Sequence, residues 1–572
     1  MPHQCESSRN EVLAIQGNRA FNPLSDKPFT NVGRTCRIKM PVKQAKYRWF
    51  FIGMFCCKCK PVDGMKFNAR LPCLAILLLA SFLLGCSNDT PGDTRTQLDS
   101  ARAPASALEA APAANRSTRP NILVIYTDDQ NYRSLSCDES APPWVSTPNI
   151  DRLANEGVRF THCYGAPSCA VSRLIMLTGL QPHAIQGMSC LDAETSYDPQ
   201  RCRFWPATLR QAGYLAAIIG KWHLGNDHGF GRDWDHSVVW TQPPGLGALK
   251  NSYRDPALSL DGHPPTTVPG YSTDLYTEHA VEYVRHAHDQ PWLLWLCYNA
   301  PHGPSEPHER HKDRYRDAAV REPLVATPVS RYLHPDRIGH AERVRNYHRT
   351  ICAIDEGVAR IRKTLEETGQ LDNTIIVFTS DNGFAWGENG IEGKLVAYDA
   401  HMRIPLIVRF PSAAKSGAVC RTPVALIDLP PTLLAMAGES QPWPMHGHDL
   451  QPLLKDPEKQ QDLGVMLENF YLRFGSETNG GQTNGPTLNG VPWWISLTDS
   501  RYQYIRSLVP DVVEEFYDHR ADPLELKNLA LEPAHARELA VYRDRLVAEL
   551  RRTNAAMADK LPAPRIYTKT DN

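Results

Sequence analysis

Four short apolar runs recur along this chain, and polar or charged residues follow each of them immediately. The runs are Asn121–Tyr126, Tyr214–Ile219, Trp292–Tyr298 and Thr374–Phe378. Continuous apolar runs of this length are typical of strands buried on both faces, which occur in parallel sheets covered by helices. The pattern therefore predicts the core strands of a parallel sheet.

The residues that follow these runs carry the candidate chemistry. In chain order they are Asp128 and Asp129, then Lys221 and His223, then His302, and finally Asp381 and Asn382. In open sheets of this kind, ligands bind at the carboxyl ends of the strands. We therefore expect these side chains, which are far apart in sequence, to share one cleft.

Amphipathic helices are predicted between the strands. The clearest spans Glu342–Leu365, where apolar residues recur at steps of three and four. Weaker candidates are Ile150–Val158, Trp205–Ala212 and Asp274–His288. This alternation predicts an α/β fold over residues 119–450, with a large, mostly parallel sheet sandwiched by helices.

The pattern changes at about residue 451. Trp493–Leu497 and Tyr502–Arg506 have the pattern of two antiparallel strands, and a helix is predicted over Pro533–Thr553. Residues 451–572 are therefore expected to form a smaller C-terminal α+β subdomain on a short antiparallel sheet. Trp386, Trp493 and Trp494 either stack on sugar rings or belong to the core. The polar loop from Gly475 to Gly490 either overhangs the cleft or is simply exposed.

The N-terminal region predicts export. Lys66 and Arg70 precede the apolar segment Leu71–Cys86, an order typical of a secretory signal. Leu83–Cys86 is typical of a bacterial lipoprotein cleavage site, so Cys86 is the expected lipidation site. A transmembrane anchor is the alternative, although the apolar run is short for one.

The expected product is a periplasmic or cell-surface lipoprotein of a bacterium, attached to the membrane through a lipid anchor. Its signal peptide occupies residues 65–86, and a flexible linker follows at 87–118. Residues 1–64 are interpreted as a misassigned start or an unusually long leader.

Charge and cysteine content add two expectations. The net charge is −1 and the isoelectric point is about 7.1, so no nucleic-acid partner is expected. Cys190 and Cys202 bracket a polar loop and could pair in an oxidising compartment.

Arg173–Thr178 is predicted to be a short helix that Gly179 ends, and Cys169 lies just before it. Cys169 is thus placed near the positive end of the helix dipole, where an anion is stabilised. The alternative interpretation is a buried free cysteine in a core helix.

A set of motifs in a fixed order resembles the type I, formylglycine-dependent sulfatase family of the alkaline phosphatase-like superfamily. The motifs are Cys169–Arg173, Gly220–Gly225, Ser380–Gly383, Glu392–Lys394, Arg403–Val408, Phe516–Asp518 and Asp522–Ala530. The resemblance extends from Pro120 to about Ala530. Val171 departs from the family pattern, where proline or alanine is usual, and this bears on conversion of the cysteine. Asn389 stands where many members carry histidine, which indicates a different substrate subsite.

The predicted metal ligands are Asp128, Asp129, Asp381 and Asn382, which offer hard oxygen atoms. Such donors suit calcium or magnesium rather than zinc. Isolated acidic pairs more often cap helices or lie in turns, but a second acidic cluster at an equivalent strand end favours a metal site. The resemblance implies Ca²⁺, with Mg²⁺ less expected, and an oxygen of formylglycine made from Cys169 as a further ligand.

The resemblance also implies catalytic roles. A hydrated formylglycine attacks sulfur and later expels the sulfate. Arg173 and Lys221 hold the charged diol, while His223 is the base when the diol collapses. His302 and Lys394 bind sulfate and assist the leaving oxygen, with His302 the better general acid because histidine titrates near neutral pH. The alternative for the lysines is an ordinary surface position.

The sequence therefore predicts an exported sulfatase that acts on a sulfated polysaccharide or oligosaccharide, with a formylglycine-generating maturation enzyme as a partner. One alternative is a phosphodiesterase or phosphonate monoester hydrolase of the same superfamily, because phosphate and sulfate share tetrahedral geometry. The other is a non-catalytic lipoprotein that binds sulfated glycans, which would follow if Cys169 were not converted.

Overall fold

The computed structural model describes residues 119–189, 196–240, 252–286, 289–321, 339–459, 461–480, 491–510 and 512–563. All of them belong to one compact unit, Ala105–Asn572. Cys86, Cys190 and the segments 1–64, 65–86 and 87–118 lie outside the described residues, as do residues 481–490 of the predicted polar loop. The expectations about them stay predictions.

Strands and helices alternate along much of the described part of the chain. In chain order, the strands are Asn121–Asp128 (β1), Val158–Tyr164 (β2), Met188–Ser189 (β3), Ser196–Tyr197 (β4), Leu215–Lys221 (β5), His236–Trp240 (β6), Ala257–Leu260 (β7), Thr266–Thr267 (β8), Trp292–Pro301 (β9), Thr374–Ser380 (β10), Ala385–Trp386 (β11), Glu392–Gly393 (β12), Arg403–Arg409 (β13), Ala418–Cys420 (β14), Val424–Ala425 (β15), Val465–Asn469 (β16), Trp494–Thr498 (β17), Tyr502–Ser507 (β18) and Glu515–Asp518 (β19). The α-helices are Pro148–Glu156 (α1), Cys169–Thr178 (α2), Pro206–Gln211 (α3), Ser272–Arg285 (α4), His340–Glu367 (α5), Asp399–Met402 (α6), Leu429–Met436 (α7), Gln451–Lys455 (α8) and Ala536–Arg552 (α9).

The large sheet has the strand order β14-β2-β13-β10-β1-β9-β5-β6-β7-β8, and β15 also pairs with β2. Of its described strands, only β13 and β7 run against the others. The four predicted core strands occupy the adjacent positions β10-β1-β9-β5 and are mutually parallel. The predicted α/β class with a mostly parallel sheet is confirmed.

Helices cover both faces of this sheet. Successive side chains of a buried strand point to opposite faces, so each central strand contributes to two separate cores. In β1, Ile122 and Val124 belong to a core shared with α2 and α7. Leu123 and Ile125 belong to a second core, shared with α1, α4 and α5. The apolar stripe predicted over Glu342–Leu365 is the buried face of α5. The three weaker predictions coincide with α1, α3 and α4.

The C-terminal part contains the predicted short antiparallel sheet, in the order β16-β17-β18-β19. Alternate residues of these strands, among them Trp494 and Ile505, join the core of the large domain. The residues of the opposite face, among them Ile495 and Tyr504, pack with α9. The small α+β arrangement is confirmed, while the boundary at residue 450 stays a prediction.

Two of the three tryptophans proposed as sugar platforms are core residues. Trp493 is 7% exposed and Trp494 is 3% exposed. The ring of Trp493 packs edge-on against Phe470, with centroids 5.4 Å apart. The stacking interpretation is therefore wrong for Trp493 and Trp494. Of the three tryptophans, Trp386 alone is half-buried, and the stacking interpretation stays a prediction for it. Separately, none of the helices in the described ranges is both long and apolar enough to cross a membrane.

Candidate active site

The register of the central strands brings the predicted polar clusters together. Thr127 of β1 lies opposite Ser380 of β10, and Asp128 lies opposite Pro301 of β9. The residues just beyond these pairs are Asp129, Asp381 and His302. Parallel strands that end at the same level deliver their following residues to one edge, so a single cleft collects all three clusters.

Cys169 is the first residue of α2 and is 4% exposed. Its Sγ atom lies 3.2 Å from Asp128 Oδ1 and 2.8 Å from Lys394 Nζ. Gly179 ends the helix in the left-handed conformation, as the sequence predicted. Burial, reinforced by the charge of Asp128, raises the pKa of the Cys169 thiol well above its usual range. The thiol is therefore protonated, and in that form it is a poor nucleophile.

Acidic and amide side chains surround this cysteine. One ligand atom from each of Asp128, Asp129, Cys169 and His302 lies within 4.8 Å of the others. Asp381 Oδ1 accepts a hydrogen bond from the Asp129 backbone N–H at 3.1 Å. Asn382 Nδ2 donates to Asp129 Oδ1. The structure thus collects every residue of the predicted metal set.

His302 belongs to this cluster as well. The family resemblance assigns it to sulfate binding and to the leaving oxygen, and not to the metal ligands. Its Nδ1–H donates to the Gly303 carbonyl at 2.7 Å. Its Nε2 atom consequently faces the cleft, 3.6 Å from Asp129 Oδ2. Burial lowers the pKa of His302, against the opposing charges of Asp129 and Asp128. The bond at Nδ1 leaves Nε2 as the ring nitrogen that is available in the cleft.

Each carboxylate of the cluster is paired with a cation. Lys221 Nζ donates to Asp128, and Lys394 Nζ donates to Asp129. Arg173 is fully buried and reaches Asp381 Oδ2 at 3.2 Å and the Lys221 carbonyl at 2.7 Å. The family resemblance implied that Arg173 holds the diol on residue 169. In the structure its guanidinium donates to Asp381 instead.

Asp128 and Asp381 are buried close together, and their pKa values are shifted in opposite directions. Burial alone would raise the pKa of Asp128, but the charges of Lys221, His302 and Arg173 hold it well below its usual range. Burial and the neighbouring Asp128 charge raise the pKa of Asp381 to about 7. The raised pKa of Asp381 reflects repulsion between neighbouring carboxylates, which a bound cation would relieve. Because the carboxylate and amide donors are oxygen atoms, the residues fit a hard divalent ion such as Ca²⁺.

Lys221 reaches the cleft because a glycine precedes it. Gly220 has φ of 106°, and a Cβ atom built there would lie 1.9 Å from the Cys297 carbonyl oxygen on β9. A side chain at this position would separate β5 from β9. The glycine therefore maintains the strand pairing that directs Lys221 toward Asp128.

His223 stands at the rim of the charged cluster, in the left-handed conformation with φ of 65°. Burial and the positive charges of Lys221 and Arg173 lower its pKa well below the usual value. Its buried Nδ1 atom has no hydrogen-bond partner among the described residues. A neutral imidazole with an open nitrogen is suited to accept a proton.

Tyr347 of α5 supports the cluster and was assigned from sequence only to an apolar stripe. Its hydroxyl donates to the Asp129 carbonyl at 2.8 Å and accepts from the Asn131 N–H at 2.7 Å. Asp129 has φ of 62°, so this contact holds a residue in a sparsely populated conformation. The signal available in the sequence was a tyrosine on a buried stripe, because its hydroxyl needs a partner.

Asn389, the second departure from the family pattern, lies beside the cleft. Its Nδ2 donates to the Leu524 carbonyl at 2.7 Å. It borders a cavity of about 460 Å³ that Trp144, Tyr347 and Trp386 also line. Its role in a substrate subsite stays a prediction.

Comparisons with known proteins identify the family. The family model described as Sulfatase matches residues 120–439, and a second, described as N-sulphoglucosamine sulphohydrolase, C-terminal, matches residues 387–553. The N-acetylglucosamine-6-O-sulfatase of Bacteroides thetaiotaomicron is 28% identical over 505 residues, covering 74% of this chain and 86% of that protein. The ulvan-active sulfatase of Formosa agariphila is 27% identical over 462 residues, covering 80% of this chain and 85% of that protein.

A solved structure gives the same result. It is that of a protein in complex with its substrate D-glucosamine-2-N,6-O-disulfate, and it aligns with a TM-score of 0.64 and 25% identity. The alignment covers 77% of this chain and 99% of that one. The family match spans the large sheet and the cleft at its edge. The chain therefore belongs to the sulfatase family, and it is a sulfuric ester hydrolase.

Proposed function

We propose that this protein is an exported sulfatase that removes sulfate esters from a sulfated polysaccharide or oligosaccharide, using formylglycine at position 169 and one Ca²⁺. The observation that carries the proposal is the position of Cys169 Sγ, between Asp128 Oδ1 at 3.2 Å and Lys394 Nζ at 2.8 Å. A nucleophile at this point is in contact with both a carboxylate and an ammonium group.

The chemistry of this position favours an oxygen in place of the sulfur. The thiol is buried beside Asp128, which raises its pKa, and its sulfur is a soft donor among hard oxygen donors. Formylglycine, when hydrated, would supply one hydroxyl to attack sulfur as the bond to the sugar oxygen breaks, and a second hydroxyl whose deprotonation expels sulfate and leaves the aldehyde, which water then rehydrates. Conversion of the cysteine would also make the donor set richer in oxygen.

Asp128, Asp129, Asp381 and Asn382 are the residues that would hold Ca²⁺, together with an oxygen on residue 169. A divalent cation at these residues supplies charge neutralisation of the sulfate and lowers the pKa of a hydroxyl bound to it.

The basic residues around the cluster have separate tasks. Lys221 and Arg173 keep Asp128 and Asp381 in place. Lys394 supplies a positive charge at the reacting residue, where it can bind sulfate. The Nδ1–H bond of His302 to Gly303 leaves Nε2 facing the cleft, and a proton carried on Nε2 would pass to the leaving oxygen. His223, held neutral by burial, would accept a proton during sulfate release.

The substrate class and the location rest on different observations. The relatives are named for activity on N-acetylglucosamine-6-O-sulfate groups and on ulvan, and the similar solved structure holds a sulfated glucosamine. These names support a sulfated sugar as the substrate of this protein. The lipoprotein-like segment Leu71–Cys86 supports export, with a lipid on Cys86 as the membrane anchor.

The decisive experiment is mass spectrometry of the tryptic peptide Phe160–Arg173 after co-expression with a formylglycine-generating enzyme. We expect the mass of formylglycine at position 169 and an unmodified Cys163 as the internal control. The converted fraction should follow the specific activity across preparations, because Val171 bears on conversion. Unmodified Cys169 with full activity would contradict the mechanism.

Substrate assays separate the remaining alternatives. Preference for aryl phosphate diesters over sulfate esters would favour a phosphodiesterase or phosphonate monoester hydrolase. Retention of sulfated glycan by the wild type and by Cys169→Ala, without sulfate release from either, would favour a binding protein.

A further inference from the structure

The backbone next to Lys394 is held by side chains of the C-terminal sheet. The Leu395 carbonyl accepts a hydrogen bond from Trp494 Nε1 at 2.8 Å and another from Asn469 Nδ2 at 3.1 Å. Both donors are buried, and Leu395 is buried as well. One carbonyl beside an active-site lysine therefore receives two hydrogen bonds from a different part of the fold.

The two donors form a cross-strand pair. Asn469 is the last residue of β16, Trp494 is the first residue of β17, and the two are register partners. Side chains directly opposite each other in an antiparallel pair lie on the same face of the sheet. The sheet thus directs two N–H groups to one acceptor with the rigidity of a strand pair.

Leu395 needs such support because its backbone is strained. Its φ is 87°, in the left-handed region that non-glycine residues rarely occupy. A residue in this conformation persists only where its surroundings hold it there. Two hydrogen bonds on its carbonyl, together with burial of its side chain, provide that restraint.

Further contacts fix the same segment at alternate residues. His401 Nδ1 bonds to the Gly393 carbonyl at 2.9 Å, and Gln503 Nε2 donates to the Ala397 carbonyl at 2.8 Å. Lys394 stands between these anchored carbonyls and extends its side chain to Cys169. A long, flexible lysine side chain is localised better when the backbone that carries it is fixed.

We propose that Trp494 and Asn469 are positioning residues that set the placement of the Lys394 ammonium group at residue 169. The C-terminal sheet is thereby part of the catalytic apparatus, although none of its described strands supplies a residue to the charged cluster. This inference rests on the proposed function in one respect, since it takes Lys394 as a sulfate-binding residue.

The chain offers a matched control in the neighbouring tryptophan. Trp493 and Trp494 are both buried, Trp494 as the first residue of β17 and Trp493 directly before it. The buried Nε1 of Trp493 has no hydrogen-bond partner among the described residues, whereas that of Trp494 bonds to Leu395. Tryptophan to phenylalanine removes the same atoms at both positions but breaks the Leu395 contact only at position 494.

The kinetic experiment compares Trp494→Phe with Trp493→Phe in the matured enzyme, with melting temperatures measured in parallel. We expect Trp494→Phe to lower kcat/KM by about fivefold, the effect of one lost hydrogen bond, and Trp493→Phe to leave it unchanged. Asn469→Asp should act like Trp494→Phe, because it removes the donor while keeping the acceptor that Asn469 Oδ1 provides for the Tyr471 N–H. In a Lys394→Ala background, Trp494→Phe should cause no further loss.

Crystal structures of the wild type and Trp494→Phe supply a readout that does not depend on turnover. We expect Leu395 to leave the left-handed region and Lys394 Nζ to move away from residue 169 in the variant. An unchanged Leu395 and Lys394 would overturn the proposal, as would equal kinetic losses in both phenylalanine variants. If Lys394→Ala keeps full activity, the role proposed for Lys394 fails, and the crystal structures alone decide whether the sheet positions it.

Discussion

The Nζ atom of Lys394 lies 2.8 Å from the Sγ atom of Cys169, although 225 positions separate the two residues along the chain. Cys169 begins α2, and Lys394 follows the short strand β12. The same ammonium group also donates to Asp129. Lys394 therefore links the reacting position to a residue of the acidic cluster. The position of its ammonium group depends on both contacts.

Lys394→Ala tests the importance of this link. We expect kcat/KM for sulfate release to fall by about 100-fold, because a preorganised cation at the developing charge is lost. Because this change also leaves the buried Asp129 carboxylate without its ammonium partner, the melting temperature is measured in parallel and the kinetics are compared well below it. Lys455→Ala, an exposed lysine at the end of α8, is the matched control and should behave as wild type. Unchanged kinetics in Lys394→Ala would contradict the assigned role.

The strand-end residues were predictable from sequence because each follows directly on an apolar run. Once Asn121–Tyr126 and Thr374–Phe378 are neighbouring parallel strands, Asp128 and Asp381 must approach one another. The one thing that the structure adds is the register, which shows that the two strands end at the same height in the sheet. This part of the site therefore depends on local pattern and on one rule of sheet geometry.

The remaining residues depend on contacts that no local pattern records. Tyr347 reaches Asp129 because α5 is rotated so that one residue of its apolar stripe points at the end of the sheet. Arg173 turns to Asp381 because burial requires a partner for its charge. Trp494 and Asn469 meet Leu395 only after the C-terminal sheet has packed on the large domain. The sequence pattern identified Trp494 as aromatic and apolar but not as a hydrogen-bond donor.

Calcium should stabilise the matured protein measurably. At free Ca²⁺ of about 100 times Kd, the free energy of unfolding should rise by about 2.7 kcal/mol, because the ion binds only the folded site. Thermal melts with Ca²⁺ and with chelator measure this without any substrate. Asp129→Asn should abolish the calcium-dependent shift, whereas Asp544→Asn, an exposed aspartate on α9, should retain it. A wild-type melting temperature independent of Ca²⁺ would count against the metal site.

The buried His348 of α5 should make stability fall in acid. Burial lowers its pKa to about 4, against the small opposing effect of its hydrogen bond to the Val344 carbonyl. The folded state therefore keeps His348 neutral, whereas the unfolded chain takes up a proton below pH of about 6.5. Linkage then reduces the free energy of unfolding as the pH falls from about 6.5 to 4, by roughly 3 kcal/mol for this residue, and has no effect above that range.

Urea unfolding of wild type and His348→Gln across this pH range isolates the contribution. The variant should be less stable than wild type near pH 7, where the packing of the imidazole is lost. The gap between the two should narrow toward pH 4, because only the wild type carries this proton-linked penalty. A gap that stays constant with pH would show that His348 is not held neutral in the fold.

Turnover should depend on the sugar around the sulfate ester. We expect kcat/KM to rise from small aryl sulfates to sulfated oligosaccharides, because contacts to remote sugar residues orient the reacting group. Sulfate release from fragments of carrageenan, ulvan, fucoidan, heparin and chondroitin measures this preference, with choline sulfate and an aryl sulfate as small comparators. One polymer class should be strongly preferred, and its trimmed fragments should lose kcat/KM stepwise. Equal activity on every polymer, or activity confined to choline sulfate or aryl sulfates, would show that the substrate is not a glycan.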